Sequence, residues 1–584
     1  MSKTTILKKI SISLILISCT YANAQQTNSV LIESAKKELN RSFAELQKEE
    51  RPPYFISFHT IERATNRITA SFGKLVSNTN HHTRFIDIDL RVGDYKLDNT
   101  HTIRGSFDFG SNTVSTAIPL TDEENAIRNA IWFATDRAYR RAIEKYEKAV
   151  TNETVKVAAE DTSDNFSREQ PTKYFENFKE IAFYNERTKI GLDPKMFLAI
   201  DTNKWIEMCK KLSSRFANHQ WLFDGEVSFS CEVVNKLFVS TEGTQVQFPT
   251  TAARLTVRAK TKAEDGMVLP LFQNYFAFEP SGLPDEETII RDIDEMISLL
   301  SQLRDAPMTT TFTGPAILSG EAAGVFFHEI FGHRVEGFRE KVPDASNTFK
   351  QSIGKKVLPE FLDVVFDPLL RTAANGQDLS GYYLYDDEGM KAQKVVTVAN
   401  GIFQNFLMSR SPIEGFDHSN GHGRKAQGRS VVTRQSNLIV SASKTKTKEQ
   451  LKAMLIAEAK KQEKEYGLYF DKVSGGFTLI SRIYPNSFNV TPLVVYKIFV
   501  DGRPDELVRG VDLIGTPLAT FSGIIAAAND IGIFNGICGA ESGGVPVSSV
   551  SPSLLVSQIE VQKKHKSQAK LPILTSPIQQ GDTK

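Results

Sequence analysis

The chain has 584 residues, 40% of them hydrophobic and 24% charged, and its 70 Lys and Arg against 69 Asp and Glu give a net charge of +1. At about 150 residues per domain the length points to roughly three or four domains, and the composition excludes a disordered chain, a collagen and a disulfide-dense mini-protein. The near balance of charge excludes a strong field drawing the protein to nucleic acid or anionic lipid.

Residues 1–24 read as a secretory signal. Lys3, Lys8 and Lys9 form a positive start, Ile10 to Ser18 an apolar core, and Ala22-Asn23-Ala24 a small-residue cleavage site before Gln25. The apolar core is about half of the ~20 residues a membrane-spanning helix needs. Lipid attachment at Cys19 is the alternative processing, because Leu16-Ile17-Ser18-Cys19 loosely fits a lipobox. Cleavage removes three lysines and no acid, leaving 67 basic against 69 acidic side chains. The expectation is an exported protein, periplasmic or extracellular, with no transmembrane anchor and no nucleic-acid partner. Three cysteines then remain, Cys209, Cys231 and Cys538. Cys231 shares an apolar alternation with Val227, Phe229 and Val233, and Cys209 shares a helix side with Trp205 and Leu212. These two form either a disulfide or two buried thiols, and Cys538 is left over.

The fold class is read as α+β: a mixed α/β N-terminal region followed by a largely β C-terminal domain. In 25–150, an N-terminal αβ domain, a helix carries Ile32, Ala35, Leu39, Phe43 and Leu46 on one stripe, and Pro52-Pro53 stops it. Strand-like runs follow at Tyr54–Phe58, Ile68–Phe72 and Phe85–Leu90. Thr121-Asp122-Glu123-Glu124 reads as a capping box before a helix with Ile127, Ala130, Ile131, Ala134, Ala138 and Ala142 inward. Residues 151–175 are polar and read as a linker. A central αβ domain, 176–305, contains a hairpin at Glu242-Gly243 and ends in a helix with Ile289, Ile293, Met296, Ile297 and Leu300 on one face. In 306–560, glycine-rich turns and short β-type runs dominate, with helices near 320–336 and 447–464. Residues 561–584 read as a flexible tail.

The chemistry concentrates in His328-Glu329-Ile330-Phe331-Gly332-His333. Two imidazoles beside a carboxylate suit a hydrolytic metal site, offering nitrogen ligands to a divalent ion and a base for a water's proton. The histidines stand at i and i+5, which on a regular helix at ~100° per residue sets the rings ~140° apart. One ion binds both only where the helix bulges or ends near Gly332; otherwise the pair is accidental. A third donor is also needed. Cys538, in the turn-like Asn535-Gly536-Ile537-Cys538-Gly539, offers a thiolate that leaves a fourth zinc position for water; its alternative is a small buried residue without a ligand role.

The block His328–Gly337 (HEIFGHRVEG) is followed by Asp386-Asp387-Glu388-Gly389 and Ser419-Asn420-Gly421-His422-Gly423-Arg424. Next come Arg509-Gly510, Leu513-Ile514-Gly515, and Cys538-Gly539 with Val545-Pro546-Val547. In this order, across about 320–556, they resemble the TldD/PmbA metallopeptidase family. The N-terminal part is similar only through Pro53-Tyr54-Phe55-Ile56-Ser57 and Ala70-Ser71-Phe72-Gly73. The resemblance implies zinc held by His328, His333 and Cys538, with Glu329 as general base. It also implies flexible or unfolded peptides as substrates, and a dimer, either of this chain or with a PmbA-like subunit. PmbA-type subunits lack HExxxH, so the likeness is to the catalytic, TldD-like side. TldD-like sequences continue the motif as HGLEGD; here Arg334 and Phe338 depart from it, which bears on substrate preference and not on the ligands.

Other motifs are weaker. Asp386-Asp387-Glu388-Gly389 reads as an acidic turn on a solvated loop, with a cation site as the alternative. His422 and Arg424 are candidate substrate-binding residues, since arginine pairs a carboxylate through two N–H groups, or else belong to a plain turn. Glu336 either orients the His333 imidazole or faces solvent. His81, His82 and His418 lack partners at ligand spacing. The sequence thus predicts an exported zinc metallopeptidase; the competing reading is a non-enzymatic exported binding or scaffold protein with a structural metal or dimer interface.

Overall fold

The computed structural model describes residues 30–102, 112–153, 162–175, 190–193, 196–198, 201–341, 349–479, 487–515 and 517–564. The signal segment, Cys19 and the last twenty residues of the tail lie outside them.

One seven-stranded sheet builds the N-terminal half, in the order Val114–Ala117, Lys74–Val92, Pro53–Ser71, Asp224–Ser240, Gln245–Lys262 and Lys173–Phe175, with Val268–Ala277 also on Gln245–Lys262. Ser57 to Ser71 pairs antiparallel with Ser240 to Glu226, so strands from the two predicted αβ blocks lie side by side. Residues 173–175, read as linker, pair in parallel with Gln245–Gln247. The Glu242-Gly243 hairpin forms as expected, with Gly243 at φ 94°, a left-handed turn that favours glycine.

Helices cover one face because their apolar stripes match it. Ile32 and Leu39 of Val30–Leu46, with Ile127 and Ile131 of Glu124–Glu153, pack on Ile56, Ile86 and Ile88. Glu123, not Thr121, accepts the N–H of Ala126 at the start of the second helix. Farther along, Thr202–Ser214 and Glu286–Asp305 bury Leu212, Ile293 and Leu300 against Phe229 and Leu255. Trp205 stacks on Phe229 at 3.8 Å. Cys209 and Cys231 are both free and buried, and burial pushes both thiols up.

In the C-terminal half, Phe312–Leu318 pairs with both Tyr466–Leu479 and Leu554–Lys563. Ser487–Phe499 and Val511–Gly515 complete the circuit, closing a five-strand ring within a seven-stranded sheet. A six-stranded sheet runs Ile402–Phe403, Val395–Ala399, Leu362–Phe366, Asn437–Ala442, Gly543–Ser551, Gly532–Ala540. Between the two sheets lies the helix Gly320–Ile330, whose Phe326, Phe327 and Ile330 share one core with Val364, Leu438, Phe470 and Val556. Its Ser319 side chain accepts the N–H of Ala322, satisfying a first-turn donor.

Candidate metal centre

The helix containing His328 stops at Ile330, six residues short of the predicted end. Phe331 follows at φ −103°, ψ −54°, and Gly332–Arg334 forms a tighter 3₁₀ turn. The turn resolves the i, i+5 spacing: it swings His333 back toward His328, with ring centroids 5.0 Å apart. At Gly332 a Cβ would fall 1.9 Å from Oε1 of Gln435, so a larger residue there would have to displace that buried side chain. Arg334 also serves the helix end, donating from Nη1 to the carbonyls of Glu329 and Ile330.

Cys538 arrives from the other side of the fold. It sits not in a turn but within the strand Gly532–Ala540, opposite Val545 of Gly543–Ser551. Three glycines in nine residues give this strand its turn-like composition, while register with its partner keeps it extended. Its Sγ lies 3.2 Å from His328 Nε2 and 3.4 Å from His333 Nε2. One donor atom from each of the three residues falls within 4.8 Å of the other two, and all three side chains are buried. Among the described residues no further His, Cys, Asp or Glu joins the group.

Charge in the site is arranged around the sulfur. Burial alone raises a thiol, but the two imidazoles outweigh it and hold Cys538 well below the ordinary thiol range. Burial disfavours a charged His333, yet Glu336 and Cys538 prevail and raise it to about 10. Glu336, fully buried, accepts from His333 Nδ1 at 3.1 Å and from Arg339 Nε at 2.9 Å. Burial pushes its carboxyl up, and His333 with Arg339 outweigh this and bring it to about 2. With Nδ1–H given to Glu336, His333 presents Nε2 to the sulfur side, the arrangement that orients a metal-ligating histidine. The Glu329 carboxylate lies 3.9 Å from that same Nε2. A buried thiolate and two imidazoles converging on one point fit a soft-to-borderline divalent ion.

The other predicted positions play supporting parts. His422 has no exposed surface, and its two nitrogens are taken by Asn420 and Ser436. Arg424 is buried, donates to the Gln435 carbonyl at 2.6 Å and lies over the Tyr383 ring. Neither faces an open surface. Asp386, Asp387 and Glu388 are buried, not solvated. Asp386 accepts N–H groups of Glu388, Met390 and Gly423; Asp387 takes Lys236 and the N–H of Lys425; Glu388 takes the N–H of Arg410. Lys425 in turn pairs with Asp87, so this junction ties the N-terminal sheet to the C-terminal half. Sequence reasoning missed Arg434 and Gln435. They sit in a buried polar run, Thr433–Asn437, which has the composition of a solvated loop and so carries no local signal.

Residues 311–563 match the family model described as the PmbA/TldA metallopeptidase C-terminal domain. The match supports membership of the PmbA/TldD family. A metalloprotease of Archaeoglobus fulgidus is 29% identical over 262 residues, 45% of this chain and 56% of its own length. A TldD homologue of Buchnera aphidicola, described as a metalloprotease, is 26% identical over 271 residues, 45% of this chain and 51% of its own. The chain thus matches about half the length of these relatives. TldE from Thermococcus kodakarensis shares the fold, with a TM-score of 0.58 at 12% identity over 91% of this chain and 100% of its own. The metalloprotease relatives imply a metal, and the His328, His333 and Cys538 group is a site that could hold it.

Proposed function

We propose that the protein is a zinc-dependent peptidase acting on flexible or unfolded peptides, exported by its N-terminal signal-like segment. The single observation that carries this is the convergence of His328, His333 and Cys538 with the Glu329 carboxylate 3.9 Å from His333. Three donors with no fourth protein ligand among the described residues is the count of a catalytic zinc site; a structural site uses four.

A zinc ion on these residues would supply Lewis acidity to a peptide carbonyl and to the attacking water. Glu329 takes the proton from that water and delivers it to the leaving amine. Glu336 keeps the His333 proton on Nδ1, so that Nε2 stays available as a donor. The buried setting strengthens each of these interactions relative to water. Burial also supports unfolded substrates, because an extended chain reaches a recessed site more readily than a folded surface does. In line with the family resemblance, the active unit is a dimer, either of this chain or with a PmbA-like subunit.

The test is hydrolysis of an unstructured peptide by zinc-loaded protein and its Glu329→Gln variant. The expected outcome is retained zinc and a rate lower by about 10²–10⁴-fold, the range for loss of a general base. Full activity in the variant at full zinc occupancy would overturn the mechanism.

A further inference from the structure

We infer that Arg434 and Gln435 are positioning residues that hold the three donors in register from a single dipeptide. The inference rests on the metal-site reading above and adds to it what sets the geometry.

The donors come from three different elements, and Cys538 is more than 200 residues from the two histidines in sequence. His328 is on a helix, His333 on a 3₁₀ turn and Cys538 on a strand. The turn brings His333 to His328, but nothing local to either fixes its distance to Cys538. The dipeptide bonds to the backbone of His328 and Cys538 and lies beside Glu336, the side chain that holds His333. Gln435 Nε2 donates to the His328 carbonyl at 3.1 Å, near a helix end where carbonyls lose their intrahelical partners. Arg434 Nη2 donates to the Cys538 carbonyl at 2.7 Å, and Nη1 donates to the Gly543 carbonyl at 2.8 Å and to Ser542 Oγ at 2.9 Å. One guanidinium thus spans both sides of the hairpin that carries the cysteine. Its Nε lies 3.6 Å from Oε1 of Glu336, whose other oxygen accepts from His333.

The clamp is itself anchored. Arg434 N–H donates to the His422 carbonyl, and the strand Asn437–Ala442 begins two residues on, flanked by Leu362–Phe366 and Gly543–Ser551. Arg434 has no exposed surface and Gln435 is 1% exposed, so water does not compete for these bonds. Arginine suits the task because its planar fork makes several donations at fixed angles, which the single ammonium of lysine does not reproduce.

The experiment uses Co²⁺ as the probe ion in full-length protein, comparing wild type with Arg434→Lys and with the near-isosteric Gln435→Met. Circular dichroism checks folding, and the readouts are the thiolate-to-cobalt absorption and Zn²⁺ affinity by chelator competition. Both variants are expected to fold, to show a shifted or weakened thiolate-to-cobalt band, and to bind Zn²⁺ about 10–100-fold more weakly. Should Arg434→Lys not fold, Gln435→Met decides. Folded variants with the wild-type band and affinity, even with lowered thermal stability, would overturn the inference and leave the metal site standing. A wild type that binds no cobalt would overturn both.

Discussion

Arg334 donates to the backbone carbonyl of Glu329 at 3.0 Å. The residue that departs most visibly from the TldD-like motif is therefore folded onto the helix that bears the proposed base. It is 2% exposed, and it reaches the Ile330 carbonyl as well. Arg334→Met is predicted to lower the unfolding midpoint by the equivalent of about 1–3 kcal/mol, the penalty for buried carbonyls left unpaired. Its set of cleavage sites on a mixed peptide substrate should be unchanged. A new cleavage preference, read by mass spectrometry of the products, would place Arg334 in the substrate path instead.

Glu336 orients His333, so its neutral analogue should loosen the ion more than the fold. Glu336→Gln is predicted to weaken zinc binding about 10–100-fold. Chelator competition measures this directly. Unaltered affinity would show that His333 needs no such partner.

Gly332 and Gln435 compete for one volume, because a Cβ on the glycine meets the Gln435 amide. Gly332→Ala should force that side chain off the His328 carbonyl and weaken metal binding. In a double-mutant cycle the Gly332→Ala, Gln435→Ala pair should bind no more weakly than Gln435→Ala alone. Fully additive losses would mean that the alanine acts on the backbone and not through Gln435.

The ion pair of Lys425 and Asp87 joins the two halves, with side chains 3% and 1% exposed. Burial pushes the Asp87 carboxyl up, but Lys425 and the Gly428 N–H outweigh it and hold it below the ordinary range. A carboxylate held down in the folded state contributes stability that is complete above its unfolded pKa of about 4 and is lost as pH falls. Lys425→Met leaves Asp87 charged in the interior, at a cost of about 3–5 kcal/mol at pH 7. The deficit should shrink toward pH 4, where the stranded carboxylate takes up a proton. Urea midpoints at the two pH values test this; equal deficits would contradict it.

What was legible in the sequence follows the range of the physics involved. Ile127 and Ile131, or Val227, Phe229, Cys231 and Val233, announce their buried faces through spacing alone, because helix and strand periodicity is local. The two histidines were legible as residue types, and so was the need for the helix to bulge or to end near Gly332. The pairing of Ser57–Ser71 with Glu226–Ser240 was not, since no local pattern records a partner some 170 residues away, and two helix-and-strand stretches read as two domains. Asp386, Asp387 and Glu388 misled for a related reason. Acids in a glycine-bearing turn look solvated unless the backbone N–H groups and the Lys236 ammonium that satisfy them are seen. The same holds for Arg434, whose three side-chain acceptors lie on the Cys538 hairpin more than 100 residues along the chain.

The central claim is that one metal ion is held by His328, His333 and Cys538 together. The most direct measurement is bound metal per chain in purified wild type and Cys538→Ala after supply of zinc, by inductively coupled plasma mass spectrometry. The account predicts about one zinc per wild-type chain, and little or none in the variant. Full occupancy in both proteins, or none in a folded wild type, would contradict it.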